Sequence, residues 1–109
     1  MSKNCEETLT EMHKFFDSRV AGNLNATYVF EISGDTGGIW TFEIKNGKCL
    51  FKNGDISNPS VRISISDEDW LAIHNGTLNS QMAFMMGKLR VSGDMSLAMK
   101  LQSMFPTPV

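Results

Sequence analysis

The sequence predicts an α+β domain in which helices cover a mostly antiparallel, five-stranded sheet. Five short segments alternate apolar and polar residues with the period of two that is typical of strands. Segments with helical spacing and recognisable caps lie before, between and after them. Grouped strands with helices elsewhere in the chain are typical of α+β proteins. The length of 109 residues indicates a single domain over residues 1–109.

The first predicted element is a helix over residues 5–20. Asn4 is its expected N-cap, and Glu7 follows three residues later, as in a capping box. Gly22 is expected to end the helix. Its apolar residues share one narrow stripe, as in an ordinary surface helix: Leu9, Met12, Phe16 and Val20.

The strands are predicted from alternation and from the turns between them. Asn46-Gly47 is a strong signal for a type I′ hairpin, so the first three strands should form an antiparallel meander. A fourth strand follows this meander, and a fifth lies near the end of the chain. The five segments are ATYVFEIS (26–33), IWTFEIK (39–45), KCLFK (48–52), VRISIS (61–66) and KLRVSG (88–93).

Three further helices are predicted in the second half of the chain. The first covers residues 67–75, because Ser66 and Asp69 resemble a capping box. The second covers residues 78–87 and ends at a glycine. The third covers residues 94–105, with Asp94 as its cap and a proline after its last residue.

The last helix is more apolar than a surface helix needs to be. Its apolar residues cover an arc of about 220°, whereas the stripe of an ordinary surface helix is about 100° wide or somewhat more. We therefore expect burial on two sides, one of them against the sheet. The helix 78–87, a partner chain or a lipid could cover the other. The region 84–105 holds Met85, Met86, Met95, Met99 and Met104, which would fill an irregular core, line an apolar cavity or form a dimer interface.

Charge argues against a nucleic-acid partner. Ten Lys and Arg residues oppose twelve Asp and Glu residues, which gives a net charge of −2, and the basic residues show no electrostatic footprint for nucleic acid. Lys88, Arg90 and Lys100 lie fairly close in sequence. They form either an ordinary solvated face or a weak docking surface for an acidic membrane or an anionic ligand head.

No arrangement of residues predicts catalysis, a metal or a cofactor. His13 and His74 have no Cys, Asp or Glu at metal-ligand spacing, and the phosphate-binding and nucleophile motifs are absent. Cys5 and Cys49 favour a reduced pair. With no secretory signal, no apolar run of membrane-spanning length and no SKL-type tail, the expected location is cytoplasmic.

Residues 63–102 resemble the sterol carrier protein 2 family. The resemblance depends on several motifs in one order: Ser66-Asp67-Glu68-Asp69-Trp70, Leu78-Asn79-Ser80-Gln81-Met82-Ala83-Phe84, Gly87-Lys88-Leu89, Gly93-Asp94 and Ala98-Met99-Lys100-Leu101-Gln102. The upstream segment WTFEIKNGK resembles the family's hairpin. The resemblance implies a five-stranded sheet covered by helices around an apolar tunnel, with low lipid selectivity and neither a metal nor catalytic residues.

The resemblance also suggests site residues. Gln81 would lie near the polar part of the ligand and Trp40 near the tunnel, whereas Met99 replaces a glutamine that some members carry. Phe84, Met85, Met95 and Met99 are inferred as walls from the helical wheel and the motif together. The predicted lipid-binding set is Trp40, Phe42, Trp70, Gln81, Phe84, Met85, Leu89, Val91, Met95, Met99 and Gln102.

The leading hypothesis is a non-catalytic lipid carrier without a cofactor. Its ligands would be fatty acids, fatty acyl-CoA, sterols or similar apolar molecules, and transfer would involve a transient contact with a membrane. The chain would act as a monomer, with a dimer as the alternative. A partner-binding module, or an accessory domain that presents a lipid substrate to another enzyme, is the rival hypothesis.

Overall fold

The computed structural model describes residues 4–105, apart from the side chain of Gln102. Its five strands form one sheet in the order β3-β2-β1-β4-β5, which confirms the predicted α+β class. The elements in chain order are α1 (Cys5–Lys14), α2 (Ser18–Ala21), β1 (Ala26–Ser33), β2 (Gly38–Lys45), β3 (Lys48–Asn53), β4 (Val61–Ser66), α3 (Asp67–His74), α4 (Ser80–Met85), β5 (Arg90–Gly93) and α5 (Met95–Met104).

The sheet is mixed but mostly antiparallel. The predicted meander is confirmed, because β2 pairs antiparallel with both β1 and β3. The hairpin between β2 and β3 has Asn46 at φ 54° and Gly47 at φ 73°, as a type I′ turn requires. β4 pairs parallel with β1, and β5 then pairs antiparallel with β4 at the edge of the sheet.

One face of the sheet carries the core beneath the helices. Tyr28 lies opposite Phe42, and Phe30 lies opposite Trp40 on one side and Ile63 on the other. All five side chains are buried. Each large apolar side chain buried in this way contributes roughly 1.5–3 kcal/mol, so this face supplies much of the stability of the fold.

The first helix is shorter than predicted. The expected helix over residues 5–20 is wrong in extent, because α1 ends at Lys14 and a separate short helix begins at Ser18. The side chain of Asp17 caps the second helix, and its backbone N–H donates to the carbonyl of Met104 at 2.7 Å. This contact with the end of the chain interrupts the first helix, and it leaves Val20 exposed rather than on a continuous apolar stripe.

The helix α4 is also shorter than the predicted span 78–87, since it covers only six residues. The Asn79 side chain caps its start, and the backbone N–H groups of Lys88 and Leu89 both donate to the carbonyl of Ala83. Because these two bonds close the end of the helix, β5 begins at Arg90 and not at Lys88. The predicted caps of α3 and α5, at Ser66 and Asp94, are confirmed.

The helices divide the covered face of the sheet between them. α1 contacts β3 and α3, while α3 also contacts β1 and β4. α5 contacts β5 and β4 and ends above β2, where Phe105 packs on Phe42 with ring centroids 5.0 Å apart. Within residues 4–105, no helix has the length and apolar character needed to cross a membrane.

Candidate functional site

The helices before and after β5 expose an unusual amount of apolar surface. Among the described residues, nine large hydrophobic side chains are exposed, and six of them belong to residues 82–99. Met85 and Met99 are exposed to 80% and 74%. We call these six side chains the β5-edge surface: Met82, Phe84, Met85, Met86, Met95 and Met99.

The short helix α4 exposes its apolar residues because only one of its side chains faces inward. Ala83 is fully buried, and it is the one buried residue of this helix. A side chain as small as alanine brings the backbone of α4 close to the core. Within six residues the helix cannot form a second buried position one turn later, so Met82, Phe84 and Met85 remain at the surface.

The helix α5 is buried on one side only. Leu101, Met104 and Phe105 reach the core, and the Tyr28 hydroxyl donates to the Leu97 carbonyl at 2.7 Å. Met95 and Met99 lie one turn apart on the outer side and are 48% and 74% exposed. Within residues 4–105, the second side of the predicted 220° arc is therefore largely exposed.

Three residues of the predicted lipid-binding set lie in the core of the protein. Phe42 and Trp70 both pack on Phe30, with ring centroids 5.2 Å and 5.6 Å away. The Trp70 indole N–H donates to the Thr8 hydroxyl at 2.7 Å. Trp40 is also buried, and its indole N–H has no hydrogen-bond partner in the described part of the chain. These side chains form one aromatic core, and a contact between them and a ligand stays a prediction.

The remaining residues of the predicted lipid-binding set lie either against the core or at the surface. Leu89 and Val91 are half-buried against the core, and Val91 lies opposite Ile63 in the sheet. Gln81 is exposed, and its contact with the polar part of a ligand stays a prediction. Phe84, Met85, Met95 and Met99 belong to the β5-edge surface. Gln102 has a side chain outside the described part of the structure.

Two methionines of the surface are missing from the predicted set. Met82 and Met86 are both more than half exposed, and they stand one helical turn apart. The wheel of the last helix could not reveal them, because Met82 belongs to α4 and Met86 is the C-cap of α4. The signal for them is the composition of α4 itself, which is too apolar for a helix with a single buried position.

Three basic side chains lie close to the β5-edge surface in sequence. They differ in ion pairing and in exposure to solvent. The Lys88 ammonium is 4.0 Å from the Asp69 carboxylate and remains 42% exposed. Arg90 is exposed, and Lys100 is half-buried on α5. An ion pair as open as Lys88–Asp69 contributes little to stability, so Lys88 can turn toward an anionic group.

The two cysteines are at least partly buried, and His13 has structural contacts. Cys5 and Cys49 are free cysteines; burial raises the pKa of Cys49 to about 12, and burial together with the nearby charge of Asp67 raises the pKa of Cys5. The His13 Nε2 atom lies 2.7 Å from the Cys49 carbonyl oxygen, and the His13 ring packs against both Phe42 and Phe51. Within residues 4–105, no three His, Cys, Asp or Glu side chains cluster as a metal site would require.

Comparison with known proteins identifies the family. A model of the SCP-2 sterol transfer family matches residues 17–106. The chain belongs to this family. It is 36% identical over 106 residues to Sterol carrier protein 2 of Oryctolagus cuniculus, with 94% of this chain and 18% of that protein covered. It is 34% identical over 100 residues to Hydroxysteroid dehydrogenase-like protein 2 of Rattus norvegicus, with 91% and 19% covered. The chain thus spans about a fifth of the length of these relatives.

Solved structures show the same fold. The sterol carrier protein domain 2 of Helicoverpa armigera is 29% identical, with a TM-score of 0.68 and coverage of 97% of this chain and 92% of that one. The palmitated SCP2L2 of Aedes aegypti is 23% identical, with a TM-score of 0.64 and 93% of both chains covered. The sec-alkylsulfatase Pisa1 of Pseudomonas sp. is 15% identical, with a TM-score of 0.72 over 86% of this chain and 15% of that one.

Proposed function

We propose that this chain is a non-catalytic lipid carrier. It binds a fatty acid, a fatty acyl-CoA, a sterol or a similar apolar molecule, with low selectivity. The observation that carries this proposal is the exposure of six large apolar side chains on α4, the turn after it and α5. Exposed apolar patches of this kind typically mark binding sites, because isolated proteins rarely leave them uncovered.

Two findings support a lipid as the occupant. The family is the SCP-2 sterol transfer family. The SCP2L2 protein of Aedes aegypti, which has the same fold, was solved in its palmitated form. The outer side of α5 offers Met95 and Met99 without a protein cover. An acyl chain seated against α4 and the exposed side of α5 would cover them, and we propose that this apolar surface becomes the wall of the tunnel when a ligand binds.

Acyl-chain burial is sufficient for useful affinity. Each buried methylene contributes about 0.8 kcal/mol, and micromolar binding requires about 8 kcal/mol in total. Because association and chain ordering cost additional free energy, most of a long acyl chain has to be covered. Methionine side chains adapt to ligands of different shape, so we expect similar affinities for several chain lengths.

Native mass spectrometry tests the proposal most directly. Purified protein should carry a co-purifying lipid, or take up a fluorescent fatty acid, in a one-to-one complex. Met99→Asp and Phe84→Asp should each reduce affinity by about tenfold or more, because each places an uncompensated charge against an apolar chain. Both positions are exposed, so these variants should remain folded.

Leu50→Asp is the matched control. Leu50 is 55% exposed but lies on β3, at the opposite edge of the sheet from β5. Its replacement changes charge and surface apolarity equally, and we expect no loss of binding. A folded protein that takes up no lipid, or an equal loss in all three variants, would overturn the proposal.

A second candidate function follows from the length of the relatives. The matching segment is about a fifth of Hydroxysteroid dehydrogenase-like protein 2, and the same fold forms 15% of the alkylsulfatase chain. The domain could therefore present a lipid to an enzyme or bind a partner through the β5-edge surface. Sedimentation over a range of concentrations distinguishes a carrier from a module that binds a second copy of the chain. A carrier stays monomeric, whereas a self-associating surface increases the mass as the concentration rises.

Membrane contact and cellular location are also parts of the proposal. Transfer requires a transient encounter with a membrane, in which Lys88, Arg90 and Lys100 would face acidic lipids. Transfer to anionic vesicles should then slow at high salt, since screening weakens exposed charge pairs; equal rates at low and high salt would rule this docking role out. A cytoplasmic location is proposed with it, and cell fractionation would test it.

A further inference from the structure

The methionines of this chain separate by exposure. The sequence contains eight, of which Met12 and Met104 are buried, and five others are exposed. The five exposed methionines all belong to α4, the turn that follows it, and α5: Met82, Met85, Met86, Met95 and Met99. A protein that needed only apolar bulk at these positions could use leucine, which does not react with peroxides.

We propose that these five exposed methionines form a modification site, at which a hydroperoxide oxidises the thioethers to sulfoxides and so lowers lipid affinity. The inference rests on the proposed function, since the same surface binds the lipid. The oxidant that this reaction requires is a hydroperoxide, either hydrogen peroxide or the hydroperoxide of a lipid.

The oxidation needs only two reactants, one hydroperoxide molecule and one methionine side chain. A sulfur lone pair attacks the terminal oxygen of the hydroperoxide; the O–O bond breaks and an S–O bond forms. The proton of the hydroperoxide moves to the departing oxygen, which leaves as water or as an alcohol. Sulfur loses two electrons and the peroxide gains them, so neither a metal nor a further cofactor is needed.

The structure favours these methionines over the cysteines as targets. Oxidation of cysteine proceeds through the thiolate. Cys5 is fully buried, and Cys49 is half-buried with its pKa raised to about 12 by burial. Both therefore stay as thiols at neutral pH. Methionine does not have to lose a proton before it is oxidised. Met85 and Met99 expose 80% and 74% of their surface, so the reagent can reach them.

Oxidation should change binding without unfolding the protein. A sulfoxide is polar and cannot lie against an acyl chain without losing its hydrogen bonds to water, which corresponds to at least about a tenfold loss of affinity for each contacting residue. The helices themselves are held by other buried residues, namely Ala83 in α4, Leu101 and Met104 in α5, and Phe105 at the C-cap of α5. These contacts do not involve the exposed thioethers.

Peptide mapping after graded hydrogen peroxide treatment tests the modification itself. We expect sulfoxides at the five exposed positions first, with Met12 and Met104 unmodified while the circular dichroism of the fold is retained. Equal oxidation of the buried pair in folded protein would overturn the inference. This measurement requires no lipid, so it stands even if the proposed function fails.

Binding assays then test the consequence. Treated wild-type protein should lose fluorescent fatty acid and also the apolar dye ANS, and methionine sulfoxide reductases should restore both. A variant with leucine at all five exposed positions has no exposed thioether. Its own affinity before treatment is therefore the reference, and peroxide should leave that affinity unchanged. The matched control carries Met12→Leu and Met104→Leu and should remain as sensitive as the wild type.

The two proposals fail in different ways. If untreated protein binds no fatty acid, the carrier function is wrong, and retention or loss of ANS still decides whether oxidation makes the surface polar. If untreated protein binds fatty acid and the fully oxidised protein binds it equally well, the carrier function stands and the oxidation inference is wrong. Peroxide sensitivity that persists in the five-leucine variant also overturns the inference.

Discussion

Replacing Tyr28 with phenylalanine should destabilise the protein in a way that depends on pH. The Tyr28 hydroxyl donates to the Leu97 carbonyl at 2.7 Å, and the side chain is fully buried. This hydrogen bond joins β1 to the first half of α5, the helix that carries Met95 and Met99. Loss of a single hydrogen bond of this kind costs about 1 kcal/mol, or roughly 4–8 °C in Tm for a domain of this size.

The pH dependence follows from the environment of the hydroxyl. Burial, with a smaller contribution from the charge of Asp94, raises the pKa of Tyr28 from 10.0 to about 12. Above pH 10 the unfolded chain therefore releases the phenol proton while the folded chain still holds it. The stability from Tyr28 is complete below pH 10 and is lost as the pH rises toward 12. Two pKa units correspond to an upper value on the order of 2–3 kcal/mol.

Absorbance and unfolding measurements together provide the assay. The sequence contains a single tyrosine, so the phenolate absorbance reports Tyr28 alone. We expect it to appear together with the loss of the circular dichroism signal. Urea unfolding near pH 8 and above pH 10 should show a steeper alkaline loss for wild type than for Tyr28→Phe.

Cys49 has to be removed as a confounding group. Burial raises the pKa of Cys49 as well, so its ionisation in alkali also lowers the stability of the protein. The wild-type and Tyr28→Phe proteins should therefore both carry Cys49→Ala. A phenolate signal near pH 10 in folded protein would contradict the assignment of Tyr28 to a buried, hydrogen-bonded position. Equal alkaline slopes for the two proteins would contradict it too.

Two further substitutions test contacts that stabilise the fold. Gly93→Ala should destabilise the protein by about 2 kcal/mol or more in urea unfolding, because Gly93 has φ 104° and an added Cβ would meet the carbonyl oxygen of Ser60. Gly54→Ala is the control. Gly54 has φ 113° but open space around an added Cβ, so this variant should show only the smaller cost of backbone strain. Asp67 accepts hydrogen bonds from the Thr36 hydroxyl and N–H, which lower its pKa below the usual 3.8. Its contribution is therefore present above pH 3.8 and is lost as the pH falls through the lowered pKa. Asp67→Asn should be less stable at neutral pH and lose less in acid; parallel pH profiles for the two proteins would contradict this.

Much of the secondary structure could be predicted because its signals are local. β1 and β4 have the predicted bounds, 26–33 and 61–66, since alternation and flanking turns lie within a few residues. The caps at Asn4, Ser66 and Asp94 are also local, because each side chain bonds backbone N–H groups two or three residues away. The break in the first helix has a local signal, the Asp17 side chain that caps the second helix, and also a distant contact, from the Asp17 N–H to the carbonyl of Met104, which the sequence does not show.

The sequence by itself determined the types of element, the family and the excess of apolar residues in the last helix. The tertiary structure alone decided where that excess lies: Met104 and Leu101 are buried, whereas Met95 and Met99 on the same helix are exposed. It also placed Trp40 and Trp70 in the core and paired β1 with β4 in parallel. The physical reason is that periodicity and caps depend on neighbours in sequence, whereas the covered side of an amphipathic element depends on contacts between residues that are distant in sequence.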